Sequence, residues 1–168
     1  MLCDLCGKIN IVINEQIKKN IAVIGLGNEL MSDEGIGIHL IRQLIQLEDK
    51  FPDVEFIEAG SAGMNLLHLI SNRKKAIIID CAKMGEKPGQ MRLFTPDEVQ
   101  SVKKLSNFSQ HEADMLRVIN LSKHLGECPA EVVFFGIEPE KLEPGQNLSE
   151  ILANSIDSYT VNIQKELF

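Results

Sequence analysis

Ile21-Ala22-Val23-Ile24-Gly25-Leu26-Gly27-Asn28 decides the fold: four apolar residues in a row, closed by a Gly-x-Gly turn. A short apolar run bounded by glycines is the pattern of a strand buried on both faces, which belongs to a parallel sheet. Beyond it the period changes. Ile36, Leu40, Ile41, Leu44 and Ile45 recur at helical spacing, with Arg42, Gln43 and Glu48 on the other face. Ser32 or Asp33 stands where a cap for that helix belongs, and Pro52 closes it. Val54-Glu55-Phe56-Ile57 is the second expected strand, and Gly60-Ser61-Ala62-Gly63 turns the chain into a short helix over 64–70. Ala76-Ile77-Ile78-Ile79, the most β-branched run, is the expected central strand. Strands at 90–94 and 131–137 follow, with helices near 112–124 and 148–163.

Strands alternating with helices predict an α/β fold: a doubly wound, mostly parallel five-stranded sheet with helices on both faces and right-handed connections. Residues 1–18 fall outside the pattern and read as an N-terminal extension. Residues 19–168 read as a single domain, as a chain of 168 residues allows.

Hydrophobic residues make up 44% and charged residues 24%, which excludes global disorder. Seventeen Lys+Arg against 24 Asp+Glu give a net charge of −7, which argues against a general nucleic-acid binder. No apolar stretch reaches the roughly 18–20 residues of a membrane span. The start, Met1-Leu2-Cys3-Asp4, lacks the basic lead-in of a secretory signal, so a cytoplasmic location is expected. Four scattered cysteines do not form a disulfide framework.

Open α/β sheets bind ligands beyond the carboxyl ends of their strands, where the strand order reverses. With the first strand flanked by the second and third, that crevice lies between 21–24 and 76–79. Past the first strand stand Gly25, Gly27, Asn28, Asp33 and Glu34; past the third, Asp80 and Cys81. The Gly-x-Gly turn invites a dinucleotide fingerprint, with Glu58 placed to bind a ribose. Its third glycine, however, is replaced by Leu30, and Asp33 and Glu34 would repel a pyrophosphate. Both glycines otherwise serve a tight turn. Asp33 fits a helix cap or dipole partner. Asp80 follows four apolar residues, and a carboxylate buried there must be paired, hydrogen-bonded or metal-bound; the residues alone leave structure and function both open. His111 opens a helix after a polar loop, whereas His39, His68 and His124 sit within expected helices. Glu34, Asp80 and His111 make a set of one nitrogen and two carboxylates with coordination positions to spare, as catalytic metal sites have.

These segments resemble the nickel–iron hydrogenase maturation endopeptidases. The likeness rests on Gly25-Leu26-Gly27-Asn28-Glu29-Leu30-Met31-Ser32-Asp33-Glu34-Gly35-Ile36-Gly37, Gly60-Ser61-Ala62-Gly63-Met64, Ile77-Ile78-Ile79-Asp80-Cys81-Ala82, Ser109-Gln110-His111 and Phe135-Gly136-Ile137-Glu138-Pro139. It implies a cytoplasmic endopeptidase of aspartyl or metallo type. Such an enzyme removes the C-terminal extension of a hydrogenase large-subunit precursor after nickel insertion. Glu34, Asp80 and His111 are then the nickel-contacting residues, with nickel delivered by the precursor or replaced by a surrogate divalent metal. Glu58, with Gly60 and Gly63 of the glycine loop, is implied in substrate recognition. The chain departs from the family pattern in its extension, where Cys3-x-x-Cys6 lacks the two further ligands of a structural zinc. Two rival readings stand beside this one: a cysteine hydrolase pairing Cys81 with His111, and a non-catalytic metal- or nucleotide-binding module.

Overall fold

The computed structural model describes residues 18–98 and 110–168, apart from the side chains of 110–113. The expected extension and Cys3/Cys6 therefore lie outside the described residues.

Five strands, β1 (Ile21–Leu26), β2 (Val54–Gly60), β3 (Lys75–Cys81), β4 (Met91–Phe94) and β5 (Glu131–Ile137), form one sheet in the order β2-β1-β3-β5-β4. All pair in parallel except β4, which runs antiparallel to β5. β1 lies between β2 and β3, in register Ile21↔Val54 and Ile21↔Lys75, so the order reverses where the sequence predicts. Among the described residues, helices α1 (Ile36–Ile45), α2 (Asn65–Ile70), α3 (Gln110–Leu125) and α4 (Glu150–Lys165) cover the faces.

Strand alternation sorts the core into two layers. Val23, Ile77, Ile79, Val133 and Phe135 pack against Ile36, Leu40, Leu44, Leu152 and Ile163 of α1 and α4. Ala22, Ile24, Ile78, Val132 and Phe134 pack on the other face against Leu66, Ile70, Leu116 and Ile119 of α2 and α3. The same alternation decides which way the tip of β3 faces, and so positions the site.

Two details differ from the expectation. Helix α1 ends at Ile45, well before Pro52, and a single 3-10 turn at Glu48–Lys50 leads on to β2. The glycines after β1 have unlike reasons. Gly27 has φ +139°, and a Cβ there would meet the Glu34 carbonyl oxygen at 2.0 Å. Gly25 instead marks a close approach: its Cβ would fall 2.3 Å from the Gly37 carbonyl oxygen, where α1 begins directly on the sheet.

The amino edge of the sheet is tied by ion pairs. Buried Arg73 reaches the Glu55 carboxylate at 2.6 Å and donates to the Leu69 and Lys19 carbonyls. Lys75 bridges Glu131 at 2.9 Å and Glu166 at 3.1 Å. The carboxyl edge carries the loops.

Candidate functional site

Asp80, the penultimate residue of β3, is buried at 6% exposure, and its Oδ1 accepts the Cys81 backbone N–H at 2.9 Å. As an even-numbered residue of β3 it faces the layer of α2 and α3. There it lines a cleft of about 70 Å³ between Leu26-Gly27, the Gly60–Gly63 loop, and Asp114 and Met115 of α3. Cys81 points the other way and packs against the layer of α1 and α4. The two adjacent side chains thus occupy opposite faces of the sheet.

Glu34 sits in a single 3-10 turn, Ser32–Gly35, packed against β3. The expected cap is not there. The N-cap of α1 is Gly35, and no side chain bonds to its first amides. Ser32 (φ +49°) instead donates its N–H to the Gly145 carbonyl at 2.8 Å and its hydroxyl to the Glu143 carbonyl at 3.0 Å. Asp33 is fully buried. Its Oδ2 accepts the N–H groups of Glu140 and Lys141 at 2.9 and 3.0 Å, and its Oδ1 that of Ser149 at 2.6 Å. These two residues lock the turn to the β5–α4 connection. The Glu34 carbonyl oxygen accepts the Asn28 N–H at 3.2 Å, closing the loop from the β1 side. The turn bearing Glu34 is therefore a fixed structure beside the tip of β3.

His111 is the second residue of α3, and its side chain lies outside the described residues. Its backbone position is one turn before Asp114 and Met115. Among the described residues no three His, Cys, Asp or Glu side chains are grouped to hold a metal. Two of the three expected donors, Glu34 and Asp80, are described. Two carboxylates and one imidazole suit a divalent cation. Asp114 escapes sequence reasoning: three residues ahead of Arg117, it reads as half of an ordinary helical ion pair.

Glu58, at the end of β2, stands on an open groove shared with Gly27–Leu30, Ile38, Gly60 and Ser61. Gly27, Gly60 and Ser61 also line the Asp80 cleft, so the groove and the cleft adjoin. Arg42 forks onto two carboxylates, donating to Glu58 from Nε and Nη2 at 3.0 Å each and to Glu29 at 2.5 and 2.9 Å. These hydrogen bonds hold the Glu29 carboxyl below its usual range and leave Glu58 engaged rather than presented to a ribose. Gly60 and Gly63 have φ of +55° and +52° with room for a Cβ, so backbone path rather than space accounts for glycine there. No helix among the described residues is long and apolar enough to cross a membrane.

A family model described as "Hydrogenase maturation protease" (HycI) matches residues 38–166. The "Hydrogenase 2 maturation protease" of Escherichia coli is 33% identical, over 82% of this chain and 84% of its own length. The "Hydrogenase expression/formation protein HoxM" of Cupriavidus necator is 28% identical, over 82% of this chain and 68% of its own length. Among solved structures, the hydrogenase maturating endopeptidase HybD from Escherichia coli superposes with a TM-score of 0.78 at 29% identity. That likeness covers 88% of this chain and 91% of HybD.

Proposed function

This chain belongs to the hydrogenase maturation protease family, a family of peptidases, and from that premise we propose that it removes the C-terminal extension of a nickel–iron hydrogenase large-subunit precursor once nickel is in place. Nickel arrives as part of the substrate. Glu34, Asp80 and His111 grip it, and the scissile bond beside it falls into the Asp80 cleft. Metal loading is then the licence to cut.

The observation that carries this reading is the placing of Asp80. It is a nearly buried carboxylate on the floor of a cleft at the switch point of the sheet, with the Glu34 turn against its strand and α3, the helix of His111, as one wall. A divalent ion held there would polarise the scissile carbonyl; two carboxylates and an imidazole supply the negative charge and the nitrogen it needs. The adjoining groove gives an extended tail a path. Leu30, 63% exposed, offers an apolar contact along it. Glu58, held by Arg42, keeps an acidic wall on that path, which suits a recognition role.

The test is to incubate the purified chain with the tailed precursor in nickel-loaded and nickel-free forms and follow both by intact mass. The loaded precursor is expected to lose its C-terminal segment while the nickel-free one stays whole. Equal cutting of both forms would remove nickel from the account.

A further inference from the structure

The Asp80 cleft contains a second carboxylate that the grip on nickel does not use. Asp114 of α3 lines it together with the Gly60–Gly63 loop. Met115, Leu116, Val118 and Ile119 are buried beneath it, so packing fixes the backbone that carries Asp114. Its side chain is 47% exposed and 3.2 Å from Arg117, itself 79% exposed; solvent screens such a pair, so Arg117 holds the carboxylate only weakly.

Peptide hydrolysis needs a group that takes a proton from the attacking water and later returns it to the leaving nitrogen. It also needs a place for that water. A water occupies roughly 10–15 Å³ of such volume, so a cleft of about 70 Å³ with carboxylates on two walls accommodates one. Asp80 is poorly suited to proton transfer, because its Oδ1 accepts the Cys81 N–H and the proposed grip on nickel assigns its carboxylate to the cation.

We infer that Asp114 is the proton acceptor of the hydrolytic step, an inference that rests on the reading of this chain as a processing peptidase. The water oxygen bonds to the scissile carbonyl carbon as one of its protons passes to the Asp114 carboxylate and the C=O π pair moves onto the carbonyl oxygen, returning as the next bond breaks. The C–N bond then breaks, its electron pair staying on nitrogen, which takes that proton from Asp114 and departs as an amine. The carboxylate is regenerated, and the water's second proton leaves when the new carboxyl group ionises.

The experiment compares wild type, Asp114→Asn, Asp114→Ala and Arg117→Gln on the nickel-loaded precursor, with thermal melts of all four. Asp114→Asn is expected to lower kcat by about 10²- to 10⁴-fold with KM within about twofold of wild type. Added formate should restore part of the activity of Asp114→Ala by supplying the missing carboxylate, which no structural role would produce. Arg117→Gln should keep the wild-type rate. A wild-type kcat in Asp114→Asn, a loss confined to KM, or an absence of formate rescue in a folded Asp114→Ala overturns the assignment while leaving the processing reading intact. A wild type that cuts no precursor overturns the processing reading, and this inference with it.

Discussion

Asp80→Asn is expected to abolish precursor processing, by more than about 100-fold, while leaving the thermal transition within a few degrees of wild type. The substitution isolates charge from shape. Asparagine fills the same space, and its side-chain oxygen can still accept the Cys81 N–H that Oδ1 accepts at 2.9 Å. What it loses is the negative charge on the floor of the cleft. Loss of residues that merely orient metal ligands costs about 10- to 100-fold, so loss of an anionic ligand exceeds that range. Processing assayed by intact mass, beside a melt followed by circular dichroism, checks both halves. Near-normal cutting by Asp80→Asn would show that this carboxylate holds no cation in the reaction.

Asp33→Ala should have the opposite profile, with stability suffering first. Three backbone N–H groups, those of Glu140, Lys141 and Ser149, lose a fully buried anionic acceptor at once. Hydrogen bonds to a charged group contribute about 1.5–3 kcal/mol each, and water can recover part of that at Glu140 and Lys141, which are exposed. A net loss of about 3–5 kcal/mol follows, lowering Tm by roughly 10 °C. Ser149 precedes the first turn of α4, so the damage should spread from the β5–α4 connection into that helix. Asp33→Asn keeps one acceptor oxygen and is expected to lose about half as much. Chemical denaturation of the three proteins gives the ranking directly. An Asp33→Ala protein as stable as wild type would mean that the connection finds other acceptors.

The contrast between these neighbours explains what the sequence makes legible. The strands are read from side chains that touch nearby layers. Ile77, Ile78 and Ile79 are all fully buried, and β5 occupies the expected 131–137. The carboxyl ends of β1 and β2 run further than their apolar stretches suggest, to Leu26 and Gly60, because ladder pairing continues through Gly25↔Glu58 and Leu26↔Gly60 after the hydrophobic signal has stopped. Asp80 is visible as a candidate because a charge directly after four buried residues requires a partner. Asp33 reads as a local cap, yet its partners stand 107, 108 and 116 residues away, where no local pattern can reveal them. Asp114 is hidden for a different reason: its i,i+3 partner Arg117 gives it the look of a solvated helix face, and only the packing of α3 brings it to the cleft.

Of the three proposed nickel contacts, the structure describes the side chains of two, on a strand tip and an adjoining turn, and the backbone of the third. The most direct measurement is therefore anomalous scattering at the nickel edge from crystals of this chain grown with nickel. The account predicts one peak at the mouth of the Asp80 cleft, with carboxylate oxygens of Glu34 and Asp80 and a ring nitrogen of His111 each within about 2.0–2.2 Å, the range of comparable divalent sites. A peak bound elsewhere, or one at Asp80 with His111 turned away from it, would contradict the account.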